Sequence, residues 1–352
     1  MILITGGTGL VGSHLLYSLT LLGKKVRALK RSASSIRNVW NTFSYYSDEP
    51  EKLFELIEWF EGDIEDVYSM LDAMDGVTEV YHAAALVSFD PKDEKALWKA
   101  NVEGTGNMVN AALEKKISKF CYVSSVAAVG KEKLNVPITE ETYWKLNDTI
   151  SNYSISKYSA EQEVWRANEE GLNVVIVNPS FIIGPGNWNS ATSSNAFNTV
   201  YKGLPFYSGG RTGFVDVRDV VKTMILLMEC DVNAQRYIIS AENVTFKEFF
   251  DIAHECMGKR KPSIKVGKML SETVWRAEKV LGSLSGYKPL ITKETANSAQ
   301  QVNTFSNQKI KELLNYDFIP LKESIKHTCE MYLLDKPKEN KGVTLILWGL
   351  MC

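Results

Sequence analysis

The sequence predicts an α/β fold: a doubly wound parallel sheet with a smaller, mainly helical lobe toward the C-terminus. Three observations carry that expectation. Short apolar runs alternate with helically spaced apolar patterns as far as Pro179, and strands that alternate with helices need crossover connections, hence parallel pairing. A glycine-rich turn sits between the first apolar run and the first helical pattern. Beyond Pro179 the alternation stops, and from Val244 onward the pattern is mainly helical.

The elements follow in order. Ile2-Leu3-Ile4 is a fully apolar first strand, and Leu10 to Leu22 repeats apolar residues at helical spacing. Lys25 to Leu29 is a second strand. Ser32 to Pro50 is polar and carries no clear period, and Glu51 to Ile57 fits a short helix. Glu58-Trp59-Phe60 is a third strand, ended by Gly62-Asp63. Asp66 to Met74 is helical, Glu79 to His82 a fourth strand and Glu94 to Lys115 one long helix. Phe120 to Ser124 is a fifth strand. Tyr153 to Glu169 is a helix closed by Gly171, where a left-handed turn suits glycine. Val174 to Val177 is a sixth, β-branched strand. Gly184-Pro185-Gly186 and the polar stretch through Asn198 read as loop. Val220 to Met228 is helical again, and Arg236 to Ile239 is one more strand.

Composition removes several classes of function. The chain has 352 residues, 45% hydrophobic and 23% charged, ordinary globular proportions. Forty basic against 42 acidic residues leave a net charge of −2, which gives no footprint for nucleic acid. Five widely spaced cysteines without C-x-x-C indicate reduced thiols. Four histidines form no H-E-x-x-H or other local ligand pair, so no metal is expected. The chain opens on Met1-Ile2-Leu3-Ile4 without a basic secretory n-region or cleavage motif. No apolar run reaches the roughly 18 residues that span a bilayer. A cytoplasmic protein without a transmembrane segment is expected. Residues 336–352 form an apolar tail, with Val343, Leu345, Ile346, Leu347, Trp348, Leu350 and Met351. It is read as packed on the fold or on a partner, with membrane-surface contact or a disordered end as alternatives.

Thr5-Gly6-Gly7-Thr8-Gly9-Leu10-Val11-Gly12 follows the first strand and opens the first helix. Gly7-x-Gly9-x-x-Gly12 and Gly6-x-x-Gly9-x-x-Gly12 are both spacings that let backbone N–H groups and a helix N-terminus approach a pyrophosphate. The strand before and the helix after supply the required context. A Rossmann-type dinucleotide site is therefore expected on Gly6, Gly9, Leu10, Val11 and Gly12. About 20 residues on, NAD sites carry an acid for the ribose 2′-hydroxyl. This chain has Val26-Arg27-Ala28-Leu29-Lys30-Arg31 instead. A cation there suits the 2′-phosphate of NADP, with Arg31 as first choice and Lys30 and Arg37 nearby. NADP is expected ahead of NAD.

Tyr153-Ser154-Ile155-Ser156-Lys157 puts a phenol and an ammonium at i and i+4, on one helix face. A nearby ammonium favours phenolate and is expected to lower the tyrosine pKa, making a general acid/base for an alcohol or carbonyl. Ser124-Ser125 ends the fifth strand, at the carboxyl edge where such sheets bind ligands, and a serine there can hydrogen-bond the reacting oxygen.

Together these motifs resemble the extended short-chain dehydrogenase/reductase superfamily. Further matching segments are Gly62-Asp63-Ile64, His82-Ala83-Ala84-Ala85, Asn101-Val102-x-Gly104-Thr105, Asn178-Pro179-Ser180, Gly184-Pro185-Gly186 and Phe214 to Val220, with a late segment from Asn307 to Tyr332. The resemblance implies that Tyr153 is the acid/base and that Lys157 lowers its pKa and holds the nicotinamide ribose. It implies that Ser125 orients the substrate oxygen, with Ser124 the second choice. Asp63 and Ile64 would contact the adenine. Ala83, Ala84 and Ala85 would line the cofactor by backbone, with Asn101 beside it, and Pro179 and Ser180 would approach the carboxamide. His82 reads as a packed strand-end histidine.

Ser124 to Gly130, Ala83 to Phe89 and Val26 to Arg31 resemble the dihydroflavonol-reductase-like and 3β-hydroxysteroid-dehydrogenase-like branches. Val129 and Ile183 stand where sugar-nucleotide epimerases often carry tyrosine, and Val126-Ala127 where 4,6-dehydratases carry an acidic pair. The function expected is hydride transfer between nicotinamide and a carbonyl or alcohol carbon of a small molecule. A nucleotide-sugar epimerase with tightly held NAD is the first alternative, and a non-catalytic dinucleotide-binding regulator the second. Residues 1–180 would form the dinucleotide domain, with 214–240 returning to it. Residues 181–213 and 241–335 would form the substrate lobe. Subunit pairing beside the Tyr153 helix, common in the superfamily, implies a homodimer.

Overall fold

A computed structural model of the chain describes residues 1–147, 150–188, 193–267, 272–273, 275–276 and 292–335. The apolar tail at 336–352 and part of the loop after Gly186 lie outside the described residues.

The apolar runs of the first half become strands β1 (Ile2–Thr5), β2 (Val26–Lys30), β3 (Ile57–Glu61), β4 (Glu79–His82), β5 (Lys119–Val123) and β6 (Val174–Pro179). Every residue of β5 and β6 is buried, as expected of central parallel strands covered on both faces. The intervening helices are α1 (Leu10–Leu21), α2 (Arg37–Tyr46), α3 (Pro50–Phe54), α4 (Val67–Ala73), α5 (Glu94–Leu97), α6 (Gly104–Glu114) and α7 (Asn152–Glu169). A π-helical turn, Trp98–Glu103, joins α5 to α6.

Past β6 come β7 (Phe181–Ile183), α8 (Asn195–Tyr201), β8 (Phe206–Ser208), β9 (Arg211–Asp216), α9 (Val217–Glu229), β10 (Gln235–Ile239), β11 (Glu242–Thr245), α10 (Phe246–Cys256) and β12 (Ile264–Val266). The last described helices are α11 (Lys293–Ser298), α12 (Gln308–Leu314) and α13 (Leu321–Leu334).

Seven strands form one parallel sheet in the order β10-β6-β5-β4-β1-β2-β3. Chain order reverses between β1 and β4, the switch point where open α/β sheets bind ligands. Alternate strand residues feed two cores. Ile4, Cys121, Val175 and Val177 face α1 and α9 through Leu15, Leu16, Leu19, Val220 and Met224. Leu3, Phe120, Tyr122 and Ile176 face α4, α6 and α7 through Met70, Met108, Val109, Ala160 and Val164. A third core, rich in aromatic rings, fills the C-terminal lobe around Phe197, Phe214, Phe249, Phe250 and Tyr332. Among the described residues no helix is long and apolar enough to cross a membrane.

Three local expectations change. The polar stretch Ser32 to Pro50 contains α2, whose Val39, Thr42 and Phe43 are buried; one apolar stripe suffices although the other faces are polar. The helix expected over Glu94 to Lys115 runs unbroken to Glu114 but carries the π-turn inside it. The stretch read as loop, Gly184 to Asn198, already enters α8 at Asn195, and outside it β7, β8 and β9 are too short or too irregular to show a period of two. β9 pairs with β7 and β11 in a separate small sheet, and α9 and β10 return to the large one.

Candidate active site at the carboxyl edge of the sheet

The glycine turn is shaped by backbone contact. Gly6 leaves β1 at φ +68°, and a Cβ there would sit 2.6 Å from the Ala83 carbonyl and the Ala84 nitrogen. The Gly9 N–H donates to the Gly6 carbonyl at 2.9 Å, and a Cβ on Gly12 would lie 2.1 Å from that same oxygen. No side chain caps α1 at Gly9. The first-turn N–H groups of Leu10, Val11 and Gly12 have no acceptor within the helix, and the helix N-terminus adds partial positive charge. A cradle without room for a Cβ, edged by free N–H donors, fits the pyrophosphate of a dinucleotide.

The walls of the groove are pinned by short bonds. The Ala83 and Ala84 N–H groups donate to the Thr5 carbonyl and hydroxyl at 3.3 and 3.2 Å. Thr5 Oγ1 lies 2.6 Å from His82 Nδ1, and His82 Nε2 lies 3.1 Å from Thr105 Oγ1. His82 is thus packed and hydrogen-bonded, and burial with the Lys157 charge holds its pKa down at about 3. Ala85 is exposed and Ala84 partly so. Asn101, on the π-turn, accepts from the Leu86 N–H at 2.7 Å and donates to the Leu86 carbonyl at 2.9 Å and to Ser156 Oγ at 3.0 Å. It therefore ties the Ala83-to-Phe89 segment to α7.

At the other end, Arg31 follows β2 on the surface, with no salt bridge among the described residues. Lys30 stands 3.7 Å from Glu61 of β3. The Asp63 carboxylate accepts the Glu65 N–H at 3.1 Å. Ile64 lies under Gly104, where a Cβ would approach its Cδ1 to 2.8 Å. Pro179 ends β6 beside Ile239, and the Ser180 N–H donates to the Ile239 carbonyl at 3.0 Å.

The candidate catalytic groups meet where β5, β6 and α7 come together. Ser151 caps α7 by accepting the Ser154 N–H at 3.1 Å, which sets Tyr153 in the first turn. The Ser125 hydroxyl lies beside the Tyr153 phenol and favours its ionised form. Ser125 Oγ also accepts the Ala127 N–H at 3.1 Å. Ser124 is buried and its hydroxyl lies against Glu161 instead, so the serine that touches Tyr153 is Ser125.

Lys157 is buried and donates to Tyr122 Oη at 2.9 Å and to the Val123 carbonyl at 2.8 Å. One expectation is corrected by this geometry. Lys157 was expected to lower the Tyr153 pKa, yet burial pushes the phenol up and only the neighbouring Ser125 hydroxyl opposes it. The ammonium is engaged with Tyr122 and Val123, and burial pulls its own pKa down to about 7. Glu161 and Asn178 complete the surroundings: Asn178 Nδ2 donates to Glu161 Oε1 at 2.5 Å and to the Ser125 carbonyl at 3.0 Å. Glu161 escaped notice in the sequence. Its only signal is its position one turn after Lys157, on the same face.

A glycine cradle at the switch point, with Ser125, Tyr153 and Lys157 on the neighbouring edge, defines an NAD(P)-binding enzyme of the Rossmann type. The chain belongs to the NAD-dependent epimerase/dehydratase family, whose pattern matches residues 2–240. It is 32% identical over 320 residues to a putative dihydroflavonol 4-reductase of Synechocystis sp., covering 88% of each chain. It is 27% identical over 339 residues to cinnamoyl-CoA reductase 1 of Petunia hybrida, covering 94% of this chain and 91% of that one. Among solved structures, gox2253 is 29% identical with a TM-score of 0.79, over 96% of this chain and 98% of that one. The UDP-glucose 4-epimerase of Thermotoga maritima shares the fold, with a TM-score of 0.74 at 21% identity over 95% and 99%.

Proposed function

We propose that the protein is an NADP-preferring reductase of small, mainly apolar carbonyl compounds, acting reversibly on the corresponding alcohols. The observation that carries this reading is the Ser125 hydroxyl and Tyr153 phenol set side by side near a buried lysine at the sheet's carboxyl edge. When bound, the nicotinamide supplies or takes up the hydride. Leu10, Val11 and Gly12 would hold the pyrophosphate, with Arg31 at the 2′-phosphate, Asp63 and Ile64 at the adenine, and Pro179 and Ser180 toward the carboxamide. Tyr153 gives its proton to the carbonyl oxygen as it becomes an alcohol, and Ser125 steadies that oxygen by a hydrogen bond. Lys157, held by Tyr122 and the Val123 carbonyl, would hold the nicotinamide ribose. The phenyl ring of Phe89 meets Tyr153 edge-on at 5.5 Å, an apolar neighbour for an apolar substrate.

The reductase names among the relatives support reduction over epimerisation, as do Val129 and Ile183, which are not tyrosine. The two reactions separate by redox balance. A reductase consumes one NADPH per substrate turned over, so absorbance at 340 nm, the nicotinamide band, should fall in proportion to product. Interconversion of a nucleotide sugar with bound NAD and no NADPH loss would overturn the proposal.

A further inference from the structure

Behind the reacting face of α7, the fold gathers a cluster of buried charged side chains. Lys157 is 1% exposed and Arg236, entering from β10, has a side chain 20% exposed. The carboxylate placed to serve both is Glu161, which is fully buried. It sits one helical turn after Lys157, on the same face of α7. Its Oε2 lies 3.3 Å from Arg236 Nη1 and its Oε1 accepts from Asn178 Nδ2 at 2.5 Å. The other Asn178 Nδ2 bond runs to the Ser125 carbonyl. Arg236 is further held by the Glu140 carbonyl, and the Glu140 carboxylate is committed to the Ile238 N–H at 2.8 Å.

We infer that Glu161 is a positioning residue of the reaction: it is the buried counter-ion of Lys157 and, through Asn178, the anchor of Ser125. One carboxylate thereby governs two members of the Ser125–Tyr153–Lys157 set from behind. This rests on the roles proposed above for those three residues. The physical reason is that a buried ammonium keeps its charge only when an opposite charge offsets its desolvation. The groups facing Lys157 are Tyr122 from β5, His82 from β4 and Glu161 from its own helix. Of these, Glu161 alone carries the opposite charge, one helical turn away and equally buried. Tyr122 offers a phenol oxygen, and His82 is neutral. The groups facing Glu161 are Arg236, Asn178, Ser124 and Lys157.

The test reads the charge of Lys157 directly in the purified full chain, with and without NADPH. Lysine is labelled with carbon-13 and the Lys157 Cε signal, assigned by its loss in Lys157→Arg, is followed against pH. Glu161→Gln keeps the shape and the acceptor for Asn178 but removes the charge, and should lower the Lys157 midpoint by at least one pH unit. Arg236→Gln frees Glu161 from its competing cation and should raise the midpoint. In turnover, Glu161→Gln should lower kcat several-fold more than it raises KM. A midpoint that moves in neither variant overturns the inference. If Glu161→Gln does not fold, Arg236→Gln decides alone: an upward shift supports the inference and no shift overturns it. If Tyr153→Phe proves fully active, the catalytic assignment fails, while the Lys157 midpoint still reports on Glu161.

Discussion

The nucleotide-facing half and the C-terminal lobe are built under different constraints. Around the cradle, positions are decided one residue at a time. Gly6 and Gly12 stand where any Cβ would strike backbone, and Thr5, His82, Asn101 and Asn178 each satisfy a specific buried bond. The lobe is held by ring packing. Phe249 stacks on Phe214 at 5.0 Å and meets Phe250 and Phe197 at 5.1 and 5.9 Å. Many combinations of bulky apolar residues can fill such a space. Where only one residue type works, the sequence carries a motif. Where volume alone matters, it does not.

The comparison breaks most sharply at Tyr153. Removing its hydroxyl in Tyr153→Phe should cut kcat by about 10²–10⁴-fold. NADPH affinity and melting temperature should stay close to wild type, read by fluorescence titration and thermal denaturation; undiminished turnover refutes the acid/base role. The lobe should respond the opposite way. Phe249→Ala opens a cavity among four rings and should cost roughly 3–5 kcal/mol of stability, measured by urea unfolding, although Phe249 belongs to no motif. A loss below 1 kcal/mol would mean the lobe core repacks freely.

Acid should act on the nucleotide half through two buried histidines. Burial lowers His14, on α1, to about 4 and, with the Lys157 charge, lowers His82 to about 3. Both folded values lie below the ordinary value of about 6.5, so the unfolded chain takes up protons first. Their stabilising contribution is complete above pH 6.5 and is lost as pH falls, by on the order of 2 kcal/mol for each histidine near pH 4.5. Unfolding free energies measured from pH 7 to pH 4.5 should fall accordingly; a flat profile contradicts the burial argument. The smallest effect belongs to the exposed edge. Arg31→Ala should weaken NADPH by about 1.5–3 kcal/mol, the scale of a charged hydrogen bond, and leave NADH nearly unchanged. Equal affinity of the wild type for the two cofactors would remove Arg31 from the site.

The parallel sheet, the cradle and the Tyr153–Lys157 spacing were legible because each rests on a period or a forced residue type. The α2 helix was not, because Val39, Phe43 and Tyr46 make a single narrow stripe inside a polar stretch. β7, β8 and β12 span three residues each, too few for alternation to register. Glu161 was missed because its partners, Asn178 and Arg236, are distant in sequence and meet it only in the folded sheet. The coupling of Lys157 to Tyr153 was over-read: spacing put both on one face, but Tyr122 and the Val123 carbonyl compete for the ammonium.

The π-turn at Trp98–Glu103 has a consequence of phase. Each residue of an α-helix advances the side chains by about 100° around the axis, and a π-turn inserts one residue's worth of rotation. The helix running from Glu94 to Glu114 therefore has two clocks. After the turn, Thr105, Met108 and Val109 keep time with the sheet, meeting His82 and the core beneath α7. Within it, Asn101 is turned to Leu86 and Ser156. Deleting a single residue from the turn would bring the clocks into step. The chain would still be helical, still buried and one residue shorter, but Asn101 and Thr105 could no longer both reach their partners.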